Sequence, residues 1–294
     1  MNFQLNKWYL DFSSAEEVGF YYIMSLHAGP FNIGYSAIHH YTRGDTVRTS
    51  KISRLTRETK HRLTTSVGEL IISPGTALLE LNHKKVSLRG EWLFQGRPTK
   101  MIKRPLIEQE NGWCDWTVWT PFARSEVNLT RGRHNHRISG TGYIDFVRFT
   151  FPFWRVPLKK LYWGRLHSEN RWVILFLLIA PDTRMGLYAD GEVTSDELDV
   201  EVIRDAGGHV SALNWHVSVT ENGVKKTLLV RAEVVRHLEG QDLLNPKRVS
   251  GMMPRWLRRW AGSFGVEEKV AVMTVIGGRP YRGIMEEVRW HEGQ

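Results

Sequence analysis

The sequence predicts an all-β protein of antiparallel barrels or sandwiches with few short helices. Three observations carry that expectation. Alternating, β-branched and aromatic segments cover most of the chain; Gly, Pro and Asn punctuate them at short intervals; and aromatic residues are in surplus, with 12 Trp, 9 Tyr and 12 Phe in 294 residues. In chain order the strand-like segments are "GFYYIMSLHA" from Gly19, "ALLELNHKKVSLRGEWLF" from Ala77, "CDWTVWTPF" from Cys114 and "RWVILFLLIA" from Arg171. They continue with "LDVEVIRD" from Leu198, "LNWHVSVT" from Leu213, "TLLVRAEVV" from Thr227 and "VAVMTVIG" from Val270. Between two of these runs, Asn222-Gly223 is the dipeptide that most favours a two-residue hairpin turn. "DAGGHV" at Asp205 reads as another turn. Helical periodicity is confined to "PRWLRRWAGSF", where Trp256, Leu257 and Trp260 oppose Arg255, Arg258 and Arg259.

The two halves echo each other. "GELIISPGTALLELNHKKVSLRGEW" is similar to "GEVTSDELDVEVIRDAGGHVSALNW", and "GTGYIDF" to "RPYRGIMEEVRW". This suggests a duplicated sheet, with a junction near residues 150–158, where Pro152 and Pro157 interrupt the strands.

Composition narrows the function. A hydrophobic share of 41% and a charged share of 24% are those of a globular chain with ample core. The single cysteine, Cys114, excludes an intrachain disulfide and reads as a small buried residue. The N-terminus lacks the basic and apolar regions of a signal peptide, and "WVILFLLIA" is too short to span a bilayer. A cytoplasmic location is therefore expected, with membrane contact through the Arg/Trp segment Pro254–Trp260 as its extension. The net charge of +9 is scattered in short clusters without a nucleic-acid module, so no nucleic-acid partner is expected. His39-His40 and His134-x-His136 lack metal-ligand spacing, and no phosphate-binding glycine loop is present, so no metal or cofactor is expected.

Four motifs then bring a family into view. "WYLDF" followed by "GFYYIMSL", the central "GTGYID", "LYWGRL" and the closing "YRGIMEEV" resemble the carotenoid 1,2-hydratase/AttH-like family. Its members include hydroxyneurosporene synthases and lipocalin-like Diels–Alderases. The resemblance implies two lipocalin-like β domains, 1–152 and 153–294, with an apolar ligand pocket between them and an unspecified oligomeric state. It also implies a Trp, a Tyr and an Asp that add water to an isoprenoid double bond. The Tyr-x-Asp pair falls on Tyr143 and Asp145, and the Trp on Trp119, with Trp116 as the alternative. The family's Tyr-His-Asp-His-Asn-Trp-Gly pattern stands here as "YIDFVRF". A divergent reaction or a different hydrophobic substrate is the consequence.

Tyr143 and Asp145 stand two apart, so on a strand they share a face while Ile144 and Phe146 share the other. If the Tyr/Asp face lines a barrel cavity, desolvation favours a neutral Asp145 able to give up a proton. A nearby Trp ring would then stabilise the resulting cation. The alternative is structural, with Tyr143 bonded to backbone and Asp145 paired with an arginine such as Arg148. "LYWGRL" offers Tyr162, Trp163 and Arg165 as substrate contacts, or else an aromatic strand end with a bulge at Gly164 and Arg165 in a salt bridge. In "WYLDF", Trp8 is a further contact or closes a barrel end, and Asp11 caps a turn. The expected activity is that of a cofactor-independent lyase or isomerase hydrating, cyclising or rearranging an isoprenoid, polyene or pigment-like substrate. The rivals are a non-catalytic carrier of a hydrophobic ligand and a carbohydrate-binding sandwich with exposed Trp platforms.

Overall fold

The computed structural model describes residues 3–152, 155–221, 223–242 and 265–290. These residues form two compact units, Met1–Arg155 and Val156–Gln294. Every regular element among them is a strand, and every strand pairing is antiparallel. The segment Pro254–Trp260, where the sequence suggested a helix, lies outside the described residues.

The first unit contains β1 (Phe3–Ser13), β2 (Val18–Ala28), β3 (Phe31–Tyr41), β4 (Thr46–Thr59), β5 (Arg62–Thr65) and β6 (Gly68–Ser73). It continues with β7 (Thr76–His83), β8 (Val86–Leu93), β9 (Ile107–Gln109), β10 (Gly112–Arg131) and β11 (His134–Phe149). Neighbours pair in sequence as far as β8, which pairs with β10. β11 pairs with both β10 and β1, so the sheet closes into a barrel with β9 appended to β10. Alternate residues fill the interior. Trp8, Leu10 and Phe12 of β1 meet Tyr21 and Ile23 of β2, Leu79 and Leu81 of β7, Trp92 of β8 and Ile144 of β11. Burial of such side chains contributes roughly 1.5–3 kcal/mol each.

The second unit contains β12 (Lys160–Ser168), β13 (Arg171–Ile179), β14 (Arg184–Ala189), β15 (Thr194–Ser195), β16 (Leu198–Arg204) and β17 (Val210–Glu221). β18 (Val224–Asp242), β19 (Gly265–Ile276) and β20 (Arg279–Trp290) complete it. These form a nine-stranded sheet in which β20 returns to pair with β12, and the sheet curls until β14 approaches β16 and β15 approaches β17. β17 and β18 form the expected hairpin, with Glu221 opposite Val224 and Gly223 at φ 77°. Tyr162, Leu166, Val173, Leu175, Trp215 and Met285 belong to its core. Gly164 pairs regularly with Leu175 and Met285, so the bulge considered there is not formed.

Both units end on a strand that closes against their first, and both closures use a glycine. A Cβ on Gly142 would stand 2.7 Å from the carbonyl oxygen of Asp11; one on Gly283 would stand 1.8 Å from that of Arg165. This close approach accounts for the echo between "GTGYIDF" and "YRGIMEEV".

Candidate active site

β11 presents Ile144 and Phe146 to the barrel core, and therefore turns Tyr143 and Asp145 to the outer face of the sheet. The pair shares a face, as its spacing requires, but that face does not line the barrel interior, which the apolar side chains occupy. Tyr143 is nonetheless fully buried and Asp145 is 6% exposed. The Tyr143 hydroxyl donates to Asp145 Oδ2 at 2.9 Å. From β10, the Trp116 indole N–H donates to the same oxygen at 3.0 Å. Two donors thus fix Oδ2 as an acceptor and orient the carboxyl.

Trp119 does not join them. It belongs to the barrel core, with its ring 5.0 Å from that of Trp8, which in turn lies 4.6 Å from Phe146. Trp116 and Trp119 are three residues apart, so a strand sends them to opposite faces. The tryptophan at Asp145 is Trp116, and Trp8 and Trp119 are core residues.

Around the Tyr143–Asp145 pair the outer face is aromatic. Tyr9 stands opposite Asp145 in the β1–β11 register, with its ring 6.1 Å from Tyr143 and 5.4 Å from Tyr22. Phe20, His39 and Tyr41 continue the wall across β2 and β3. Cys114 is buried on β10, and burial raises its thiol well above the usual range, which keeps it protonated and inert.

Arg148 is not the partner of Asp145. It points to the core side, where its Nε donates to Asn6 Oδ1 at 3.0 Å and its guanidinium lies over Phe146. Asp11 is likewise not a turn cap. It sits within β1, fully buried, opposite Tyr143. The cap of the β1–β2 turn is Ser14, whose hydroxyl accepts the Glu17 amide N–H at 3.1 Å.

In the second unit, Tyr162 packs in the core, where burial and Glu287 push its phenol up to about 12. Trp163 and Arg165 share the opposite face of β12, and Arg165 is fully buried beside His167 at 3.2 Å. Burial, then Arg165 and Arg282, hold His167 well below its ordinary range, so it stays neutral. The position equivalent to Asp145, three residues beyond the closing glycine, is Glu286. There the carboxylate accepts from the fully buried Lys269 at 3.0 Å, and Lys269 also reaches Glu267 at 3.1 Å. Glu286 is thus held in an ion pair with a buried ammonium. Among the described residues, no group of three or more His, Cys, Asp or Glu is placed to hold a metal ion.

Sequence reasoning passed over Tyr9 and Trp92 and read Asp11 only as a turn cap. The Trp92 indole N–H donates to the Asp11 carbonyl oxygen at 2.7 Å from the core side and so fixes the backbone behind the site.

No protein-family model matches this sequence, and no curated protein matches it. Solved structures do share its architecture. A protein from Nitrosomonas europaea described as an AttH superposes with a TM-score of 0.67 at 12% identity, over 98% of this chain and 93% of that one. CghA does so with a TM-score of 0.70 at 10% identity, over 99% and 90%. Kievitone hydratase from Nectria haematococca gives 0.59 at 13% identity, over 97% and 88%. This chain has the AttH-like fold. The likeness runs through both β units, as the four motifs implied, while identities this low leave the chemistry to be argued from the residues.

Proposed function

We propose that this protein is a cofactor-independent enzyme of lyase or isomerase type, acting on a hydrophobic small molecule by proton-assisted hydration, cyclisation or rearrangement. The observation that carries this reading is the buried triad in which Trp116 and Tyr143 both donate to Asp145 Oδ2, at 3.0 and 2.9 Å. With Oδ2 held as acceptor, a proton on this carboxyl sits on Oδ1. From there it passes to an alkene carbon of the substrate, and the electron pair of the double bond forms the new C–H bond. The positive charge that develops on the neighbouring carbon is stabilised by the Trp116 ring face and by the phenols of Tyr143 and Tyr9. Water or an internal nucleophile closes the reaction and returns a proton. Each variant is redox-neutral, so the chemistry requires no redox cofactor. The shared fold with a hydratase is consistent with this class.

The rival reading, a non-catalytic carrier, predicts Asp145 tied into a salt bridge with an arginine; Arg148, the arginine the sequence offered, donates to Asn6 instead. The experiment begins with native mass spectrometry and extraction of co-purified small molecules, followed by turnover of the identified compound in deuterium oxide. Asp145→Asn should retain the fold and ligand binding while lowering turnover about 10²–10⁴-fold, the usual share of a positioned acid. Turnover undiminished in that variant refutes the assignment.

A further inference from the structure

The Tyr-x-Asp-Phe motif of "GYIDF" occurs a second time, as "WYLDF", on the strand that pairs with it. The register sets Tyr9 opposite Asp145 and Asp11 opposite Tyr143, all four on the same face of the β1–β11 pair. Antiparallel pairing therefore builds a square in which the tyrosines occupy one diagonal and the aspartates the other. The tyrosine diagonal is observed directly, with ring centroids 6.1 Å apart. All four side chains are buried: Tyr9 is 5%, Asp11 0%, Tyr143 0% and Asp145 6% exposed. The backbone beneath Asp11 is held by the Trp92 indole, and Gly142 leaves the room that the indole needs. Two residues on such a diagonal stand about 7–8 Å apart, with their Cβ atoms somewhat closer, near enough for carboxyls to interact strongly when water is excluded.

We propose that Asp11 is the second proton-exchanging carboxyl of this site and that Asp11 and Asp145 titrate as a coupled pair. The proposal rests on the functional reading of Asp145 given above. In a hydration, one carboxyl gives its proton to the alkene carbon while the other carboxylate takes a proton from the attacking water. The C–O bond forms with the water's electron pair, and the pair of carboxyls ends with the same number of protons it began with. In an isomerisation, the second carboxylate takes its proton from carbon instead. Two carboxyls on one face allow proton delivery and removal in one substrate pose, whereas a single acid must wait to be reset. The ionisable groups of this unit on the wall around the pair include Tyr9, Tyr143, Tyr22, Tyr41, His39, Cys114, Arg48, which stands opposite His39, and Lys7, with its ammonium 4.7 Å from the Tyr22 ring.

The coupling can be read without any substrate, by following the carboxyl carbons of ¹³Cγ-aspartate-labelled protein through a pH titration over the range in which it stays folded. In Asp11→Asn the Asp145 midpoint should fall by about one to two pH units relative to wild type, as removal of a like charge at this range requires. The carboxyl that titrates first does so beside a neutral partner, so in Asp145→Asn the Asp11 midpoint moves little, but its wild-type curve, which carries a second step as Asp145 ionises, should become a single step. That second reading decides the question if Asp11→Asn does not fold. An Asp145 midpoint unmoved in Asp11→Asn, or an Asp11 curve unchanged in Asp145→Asn, overturns the proposal. Once a substrate is in hand, failure of the whole site and failure of the second carboxyl separate. Turnover retained in Asp145→Asn sinks both; turnover lost there but retained in Asp11→Asn, with an unchanged pH profile, sinks only the second carboxyl.

Discussion

Replacing Gly142 with alanine should damage the site and the barrel together. The added Cβ would stand 2.3 Å from Cδ1 and Nε1 of Trp92 and 2.7 Å from the Asp11 carbonyl oxygen. Trp92 is fully buried among core side chains, so its ring has nowhere to retreat, and the Asp11 carbonyl is fixed in the β1–β11 ladder. Overpacking of this kind costs roughly 1–3 kcal/mol. If the indole moves, the Trp92–Asp11 hydrogen bond is lost and a buried donor is stranded, for about 1–3 kcal/mol more. The sum is about 2–6 kcal/mol, or roughly 5–20 °C in the melting temperature of a unit this size. Thermal unfolding followed by circular dichroism measures it. Gly44→Ala is the control, because nothing lies within 4 Å of a Cβ there. Equal melting temperatures for the two variants would show that the closure does not depend on the close approach argued here.

Two further outcomes concern buried ionisable groups. His83 bonds to Ser36 at 2.8 Å, and burial, helped by Lys51, lowers it from 6.5 to about 4. An unfolded chain takes up a proton at His83 below about pH 6.5 that the folded chain refuses until about pH 4, so stability should fall as pH drops through that window. The loss is at most about 3 kcal/mol and roughly half that after solvent screening. Urea unfolding of His83→Gln should lack this part of the acid decline, and an identical pH dependence would count against it. Arg204 donates to Glu268 at 3.2 Å and also to the buried Glu287. Arg204→Met should therefore destabilise the second unit by about 3–5 kcal/mol, whereas Arg204→Lys should recover part of the loss. Denaturant midpoints indistinguishable from wild type would rule out a structural role for this bridge.

The strands were legible because their period and their turn residues are local properties. So was the shared face of Tyr143 and Asp145. Which face it is could not be read from the chain, since β11 is buried on both sides there and its alternation is between two kinds of buried residue. The choice between Trp116 and Trp119 was hidden for another reason. β10 shifts register against β11 between Val118 and Ala123, so counting back from Tyr143 does not fix a side. Asp11 was misread because "LDFSS" contains three plausible caps, and only the length of β1, which runs to Ser13, leaves Ser14 rather than Asp11 at the turn.

The β1–β11 pairing also orders events during synthesis. The two strands that carry the Tyr-x-Asp motifs lie at the two ends of the first 149 residues, so every intervening strand leaves the ribosome before they can meet. Until then the nascent sheet presents an open edge at β1, whose side chains are mostly apolar and aromatic, the combination most prone to pairing with a neighbouring chain. Such distant pairing is slow because the loop-closure entropy is lost before any contact repays it. The same late event seals the edge against aggregation and brings the acidic residues together. A nascent chain halted before β11 would consequently be sticky and would lack the Tyr143–Asp145 half of the proposed site.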